Sequence, residues 1–196
     1  MMRRSFLLFI FLILVAFSGL IMAGLHNESP PPAADFTGEF PGQIDFIESR
    51  FTQLLEAMPA KDFDWRPEEG VRSVGEVYMH AAFANYLFIK ISGQMLPGDI
   101  NIDMKPMDWD KTVSGKEAIS RVLKRSFNDL REAAKNISEM DLDNTVKFFG
   151  NEMSLRNFMV VSLNHLHEHL GQSIAYARMN GITPPWTAAQ QKAESK

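Results

Sequence analysis

The sequence predicts an all-α protein, a four-helix bundle preceded by an N-terminal signal or anchor segment. Three observations predict it. Four stretches repeat apolar residues at helical spacing. Two of them open on Ser-x-x-Glu, the pattern in which a serine and a glutamate cap each other's backbone N–H groups. Gly or Pro stands at the helix ends, and strand signal is confined to one short stretch.

The chain begins with Arg3-Arg4 and an apolar run from Phe6 to Phe17, which resumes at Leu20 and ends at Ala23-Gly24. A basic start, an apolar middle and a small residue at the end describe a secretory signal peptide. The stretch is also close to the length that spans a hydrocarbon core. Residues 1–23 are therefore expected to be a cleaved signal or an uncleaved membrane anchor. Either reading exports the rest, to the periplasm or the exterior, and membrane contact comes only through this segment. Residues 24–40, with Pro30-Pro31-Pro32, are expected to form a stiff linker.

The first predicted helix runs from Pro41, a good first-turn residue, to Met58, before Pro59. Ile44, Ile47, Phe51, Leu54, Leu55 and Met58 share its apolar face. The second runs from Ser73 to about Ser92. Ser73 and Glu76 cap it, Gly93 ends it, and Val77, His80, Ala84, Leu87 and Ile91 form one stripe. The third is expected to open on a capping box of Ser114 and Glu117. It buries Ile119, Leu123, Phe127 and Leu130, and presents Arg121, Lys124, Arg125, Asp129, Arg131 and Glu132 to water. The fourth runs from Ser154 to Asn180. Gly181 closes it, and Pro184-Pro185 are expected to forbid resumption. Residues 41–186 thus form the bundle, and 187–196 a fraying polar tail. Val146–Met153 reads as a small extended turn. The connection from Gly93 to Val113 is long for a bundle, and connections of that length are commonly functional. Its Met95, Met104, Met107 and Trp109 are candidates to cover a site.

Composition narrows the chemistry. With 196 residues, 45% apolar and 22% charged, the chain suits one globular domain plus accessories. Its 20 basic against 24 acidic residues leave a charge of −4, which argues against nucleic-acid binding by counterion release. Losing residues 1–23 removes two arginines and no acid, leaving the remainder more acidic still. There is no cysteine, so disulfides, thiolate metal sites and Cys nucleophiles are excluded. Metal chemistry is left to His26, His80, His165, His167 and His169.

His165 and His169 lie four residues apart, one helical turn, so they share a face. His167 is turned away from both. His80 lies on the inward stripe of the second helix. Three neutral imidazoles with no carboxylate and no thiolate are a plausible face for Zn²⁺, Ni²⁺ or Fe²⁺, with positions left open for water. Leu166 follows His165, so the zincin glutamate is missing. Gln172, Tyr176, Asn85 and Tyr86 lie within two turns of the three histidines, as packing residues, as supports of the imidazoles or as groups that orient substrate. Asp62, Asp64, Glu68 and Glu69 read as surface charges. No Ser-His-Asp order, phosphate loop or inward carboxylate pair is present.

These elements together resemble the DinB-like superfamily. The resemblance is carried by Ser73-Val74-Gly75-Glu76 with His80, by Asn164-His165 through His169-Leu170-Gly171-Gln172, by Gly181-Ile182-Thr183-Pro184-Pro185, and by Trp65-Arg66-Pro67. It covers about residues 40–186. It implies a bundle of up-down-down-up topology and a divalent metal held by His80, His165 and His169. It also implies a small-molecule substrate. Relatives include thiol S-transferases that use bacillithiol or mycothiol, a mycothiol-dependent isomerase and metal-dependent hydrolases. Where relatives often carry His-His-Arg-Gly-Gln, this chain has Glu168-His169-Leu170-Gly171-Gln172. Export separates it from cytosolic thiols, so hydrolysis is the first expectation. A thiol S-transferase and a non-catalytic, metal-stabilised module are the alternatives, and a homodimer is compatible with its surface aromatics.

Overall fold

A computed structural model describes residues 35–195. The expected signal or anchor and His26 lie outside them. Among the described residues, no helix is long and apolar enough to cross a membrane.

Helix α1 spans Phe36–Ala57. It starts five residues before the expected Pro41, so Phe36–Phe40 are helix and not linker. The Asp35 carboxylate caps it, accepting from the Gly38 N–H at 2.9 Å. Pro41 then sits inside the helix and deprives it of one backbone bond. Burial of Phe40, stacked on Phe88 at 5.5 Å, offsets that loss. At the other end of α1, the Lys116 ammonium donates to the carbonyls of Glu56 and Met58 at 2.8 and 2.7 Å, pairing groups that a helix end leaves free.

Helix α2 spans Val74–Ile91, with the Ser73/Glu76 capping box formed as the sequence requires. A short helix, α3, spans Pro106–Trp109 inside the long connection. Helix α4 spans Lys116–Ala134. The expected Ser114/Glu117 box is absent here. Gly115 is the N-cap instead, at φ +84°, a conformation that costs glycine nothing and displaces the serine. The expected solvent face of α4 is only partly solvated, because Arg131 reaches Asp45 at 2.8 Å and also Glu48, both on α1.

Strands β1 (Thr145–Phe148) and β2 (Asn151–Ser154) form an antiparallel hairpin where a small extended turn was expected. Phe148 pairs with Asn151, so the loop is only Phe149-Gly150. Both have positive φ, 46° and 80°, as a type I′ turn requires. Helix α5 spans Leu155–Met179. Helix α6, Pro185–Glu194, replaces the fraying tail. Pro185 occupies its first turn, where the missing N–H is no loss. Trp186 anchors it, with the Arg50 guanidinium 4.4 Å above the ring.

The bundle consists of α1, α2, α4 and α5. Both α1 and α2 pack against α4 and α5, so α1 lies diagonally from α2 and α4 from α5, while α2 and α4 are neighbours. The core is continuous, built from Ile44, Ile47, Phe51 and Leu54 of α1 with Val77 and Tyr78 of α2, Phe127 of α4 and Phe158 of α5. It sets α2 beside α5 and brings the inward histidines of both to one place.

A candidate metal centre

His80 and His169 are buried and His165 is partly buried. One ring nitrogen from each lies within 4.8 Å of the others. The ring centroids are 4.5 to 5.3 Å apart and the planes cross at 69 to 82°. Two distant stretches thus bring the expected trio together. His167 is exposed, its ring 6.4 Å from that of Phe46, and does not join them. Glu168 is exposed as well.

Two of the rings are held by hydrogen bonds that define their tautomers. His80 Nδ1 lies 3.3 Å from Asp110 Oδ1. A carboxylate only accepts, so Nδ1 carries the proton and the Nε2 lone pair is free. Asp110 is buried and is held in turn by Arg72 Nε at 2.7 Å.

A second chain of bonds starts from the same arginine. The Arg72 carbonyl accepts from the Tyr176 hydroxyl at 3.1 Å. With its proton so used, the Tyr176 oxygen accepts from Gln172 Nε2 at 3.0 Å. This turns Gln172 Oε1 toward His169 Nδ1, 2.9 Å away, so Nδ1 donates and Nε2 is again free. Arg72 therefore sets both rings, one through its guanidinium and one through its backbone. Outer partners of this kind orient metal-binding imidazoles and raise their basicity.

Gln172 and Tyr176, expected near the site, thus hold His169 in place. Tyr86 donates to Asp129 at 3.2 Å and packs edge-on against Trp109. Asn85 is fully buried and bonded to Ser126. Of the expected covering residues, Trp109 packs on Phe83 and Tyr86, whereas Met95, Met104 and Met107 are exposed.

Arg72 and Asp110 escaped the sequence reading. Both lie in connections without periodicity, and only the length of the Gly93–Val113 segment drew attention to one of them.

Burial is the main influence on the protonation of the α5 pair. It pushes the His165 imidazole down to about 4, with smaller repulsion from His169, His80 and Arg72. Burial also lowers His169, against a smaller raising effect from Gln172. Both rings are therefore neutral near pH 7 and present lone pairs. Three imidazole nitrogens, two of them oriented, with no carboxylate or sulfur in the set, fit a borderline divalent ion such as Zn²⁺, Ni²⁺ or Fe²⁺.

Comparison with known proteins agrees with this architecture. A family model described as the DinB superfamily matches residues 43–173. A DinB-like protein from Bacillus cereus is 20% identical, with a TM-score of 0.64, over 74% of this chain and 93% of that one. YfiT from Bacillus subtilis, described as a probable metal-dependent hydrolase with an unusual four-helix bundle topology, is 12% identical. Its TM-score is 0.61, over 80% of this chain and 95% of that one. A mycothiol-dependent maleylpyruvate isomerase is 15% identical, with a TM-score of 0.53, over 68% of this chain and 59% of that one. At these identities the likeness is one of fold. A search of curated proteins gives no match.

Proposed function

The chain belongs to the DinB superfamily, and from that premise we propose that it is an exported, metal-dependent enzyme of hydrolase type acting on a small molecule. The observation that carries the reading is the convergence of His80, His165 and His169, with two rings locked by Asp110 and Gln172. The three imidazoles would hold the ion, which supplies Lewis-acid polarisation of a substrate carbonyl or phosphoryl oxygen.

The remaining work belongs to the chain. Arg72, Asp110, Gln172 and Tyr176 keep the rings in place without motion at the moment of reaction. Phe83, stacked at 6.2 Å on His80, shields that ring from water. The cavity beside the trio carries no charged side chain, which favours a neutral substrate over a charged thiol cosubstrate. The up-down-down-up topology is supported by the diagonal placement of α1 from α2 and of α4 from α5, with α2 beside α4. Export is supported by Arg3-Arg4 and the apolar run behind them, and cell fractionation tests it.

Elemental analysis of the purified protein tests the centre. One equivalent of divalent metal per chain is expected, absent from His165→Ala with helical circular dichroism retained. A panel of neutral esters and amides should then be hydrolysed in a metal-dependent way. A metal-free wild type whose melting ignores chelator sinks the metal reading. Turnover only with an added thiol transfers the assignment to the S-transferase. Bound metal that no substrate competes for leaves a metal-stabilised module.

A further inference from the structure

Two helical stripes meet beside the candidate metal centre. On α2, His80, Ala84, Leu87 and Phe88 fall at i, i+4, i+7 and i+8, so they share a face. On α5, Phe158, Val161, Ser162 and His165 fall at i, i+3, i+4 and i+7 and share another. All of them line one cavity of about 250 Å³. The helices run antiparallel along it. The His80 ring lies 5.3 Å from that of His165, and the Phe88 ring 5.5 Å from that of Phe158. These two contacts are nearly equal, so the helices keep their spacing and the cavity is a trough along them. Its length is set by the eight residues from His80 to Phe88 and the seven from Phe158 to His165, about 10–12 Å at 1.5 Å per residue.

The two ends of the trough differ. One is made by the imidazoles. The hairpin lies across the other, with the Phe148 ring 5.2 Å from that of Phe158 and Phe149 beside it. No Asp, Glu, Lys or Arg lines the walls. Ser162 spends its proton on the Phe158 carbonyl at 2.9 Å. Asn85 also bounds the cavity but exposes no surface. Between the ends, therefore, no side chain has a hydrogen to offer a ligand.

We propose that this trough binds one unbranched hydrocarbon chain of about eight carbons, with its polar head at the imidazoles. An extended chain with bonds of about 1.5 Å advances a little over 1 Å per carbon, so about eight carbons reach from His80 and His165 to the hairpin. A hydroxylated or charged body would lose its hydration along these walls with nothing in exchange. The volume lies below the roughly 300–1,000 Å³ of pockets that take drug-sized molecules, which favours a slender ligand. The substrate class of the site is then esters or amides of saturated acids of about that length, a conclusion that rests on the metal-dependent reading above. The chain-binding claim does not.

Calorimetry with 1-butanol, 1-hexanol, 1-octanol and 1-decanol on the purified protein tests the claim. Affinity should rise about fourfold per added methylene, the worth of burying one, as far as octanol and then level off. Ala84→Leu sets a branched side chain midway along the trough and should move the levelling point to about four carbons. Val161→Phe obstructs it from α5 and decides the matter if Ala84→Leu does not fold. No binding, affinities that ignore chain length, a gain that continues unbroken through decanol, or the wild-type levelling point in the folded variant overturns the proposal. The head is placed with the Co²⁺-loaded protein. Octanohydroxamic acid should alter its absorption at a concentration about a hundredfold or more below that of acetohydroxamic acid, and equal concentrations overturn the placement. Co²⁺ uptake without chain-length dependence defeats this proposal and spares the metal centre. Chain-length dependence without Co²⁺ uptake keeps the trough as a binding site and defeats the metal-dependent reading.

Discussion

Asp110 supports His80 from the connection before α4 and is itself held by Arg72. Replacing its carboxylate by an amide removes the obligatory acceptor on His80 Nδ1 and the ion pair with Arg72. Asp110→Asn is expected to weaken divalent-metal binding by about 10–100-fold, as outer partners of metal-bound imidazoles do, with helix content unchanged. Competition against a chromophoric chelator measures it. The α5 histidines predict a pH effect in the metal-free protein. His165 titrates near 4 in the folded chain against 6.5 in the open one. Below pH 6.5 the unfolded chain binds a proton that the folded chain refuses. Stability is therefore full above about 6.5 and declines as pH falls toward 4. Thermal melts of chelator-treated protein should show this slope, and His165→Phe should flatten it. Added metal competes with the proton and should restore stability in the same range.

The hairpin is the element whose local chemistry agrees least with its sequence. Phe149 is at φ 46° and 82% exposed, next to Gly150 in a two-residue turn. The left-handed region is unfavourable for a bulky side chain by roughly 1–2 kcal/mol. Asn-Gly is the sequence such a turn prefers. Phe149→Asn should therefore raise stability by about 1 kcal/mol in chemical denaturation. A loss of stability would mean that the exposed ring, 4.4 Å from Phe148, contributes more by packing than its backbone costs. The capping residues make the opposite point. Ser73 and Glu76 form the box that their spacing requires, whereas Ser114 and Glu117 have the same spacing and yield to Gly115. A local pattern is decisive only where the chain's approach to the helix leaves the serine at the N-cap.

For the molecule as a whole, an ion at the trio would tie α2 to α5, with Asp110 adding the connection between α2 and α4 as a third support. Metal at 100 times its dissociation constant should then stabilise the fold by about 2.7 kcal/mol, by mass action alone. Denaturation with and without metal should show this gain in wild type and lose it in His80→Ala. Four amphipathic helices, their order, the inward placement of His80, His165 and His169, and the absence of thiolate ligands are legible in the sequence alone. These follow from periodicity and composition, which are local properties. Folding in three dimensions settled that α1 begins at Phe36, that Arg131 crosses to α1, and that Arg72 and Asp110 lock the rings. Each of those depends on contacts between residues far apart in the chain, where distance in space is set by how the helices pack and not by any spacing along the sequence.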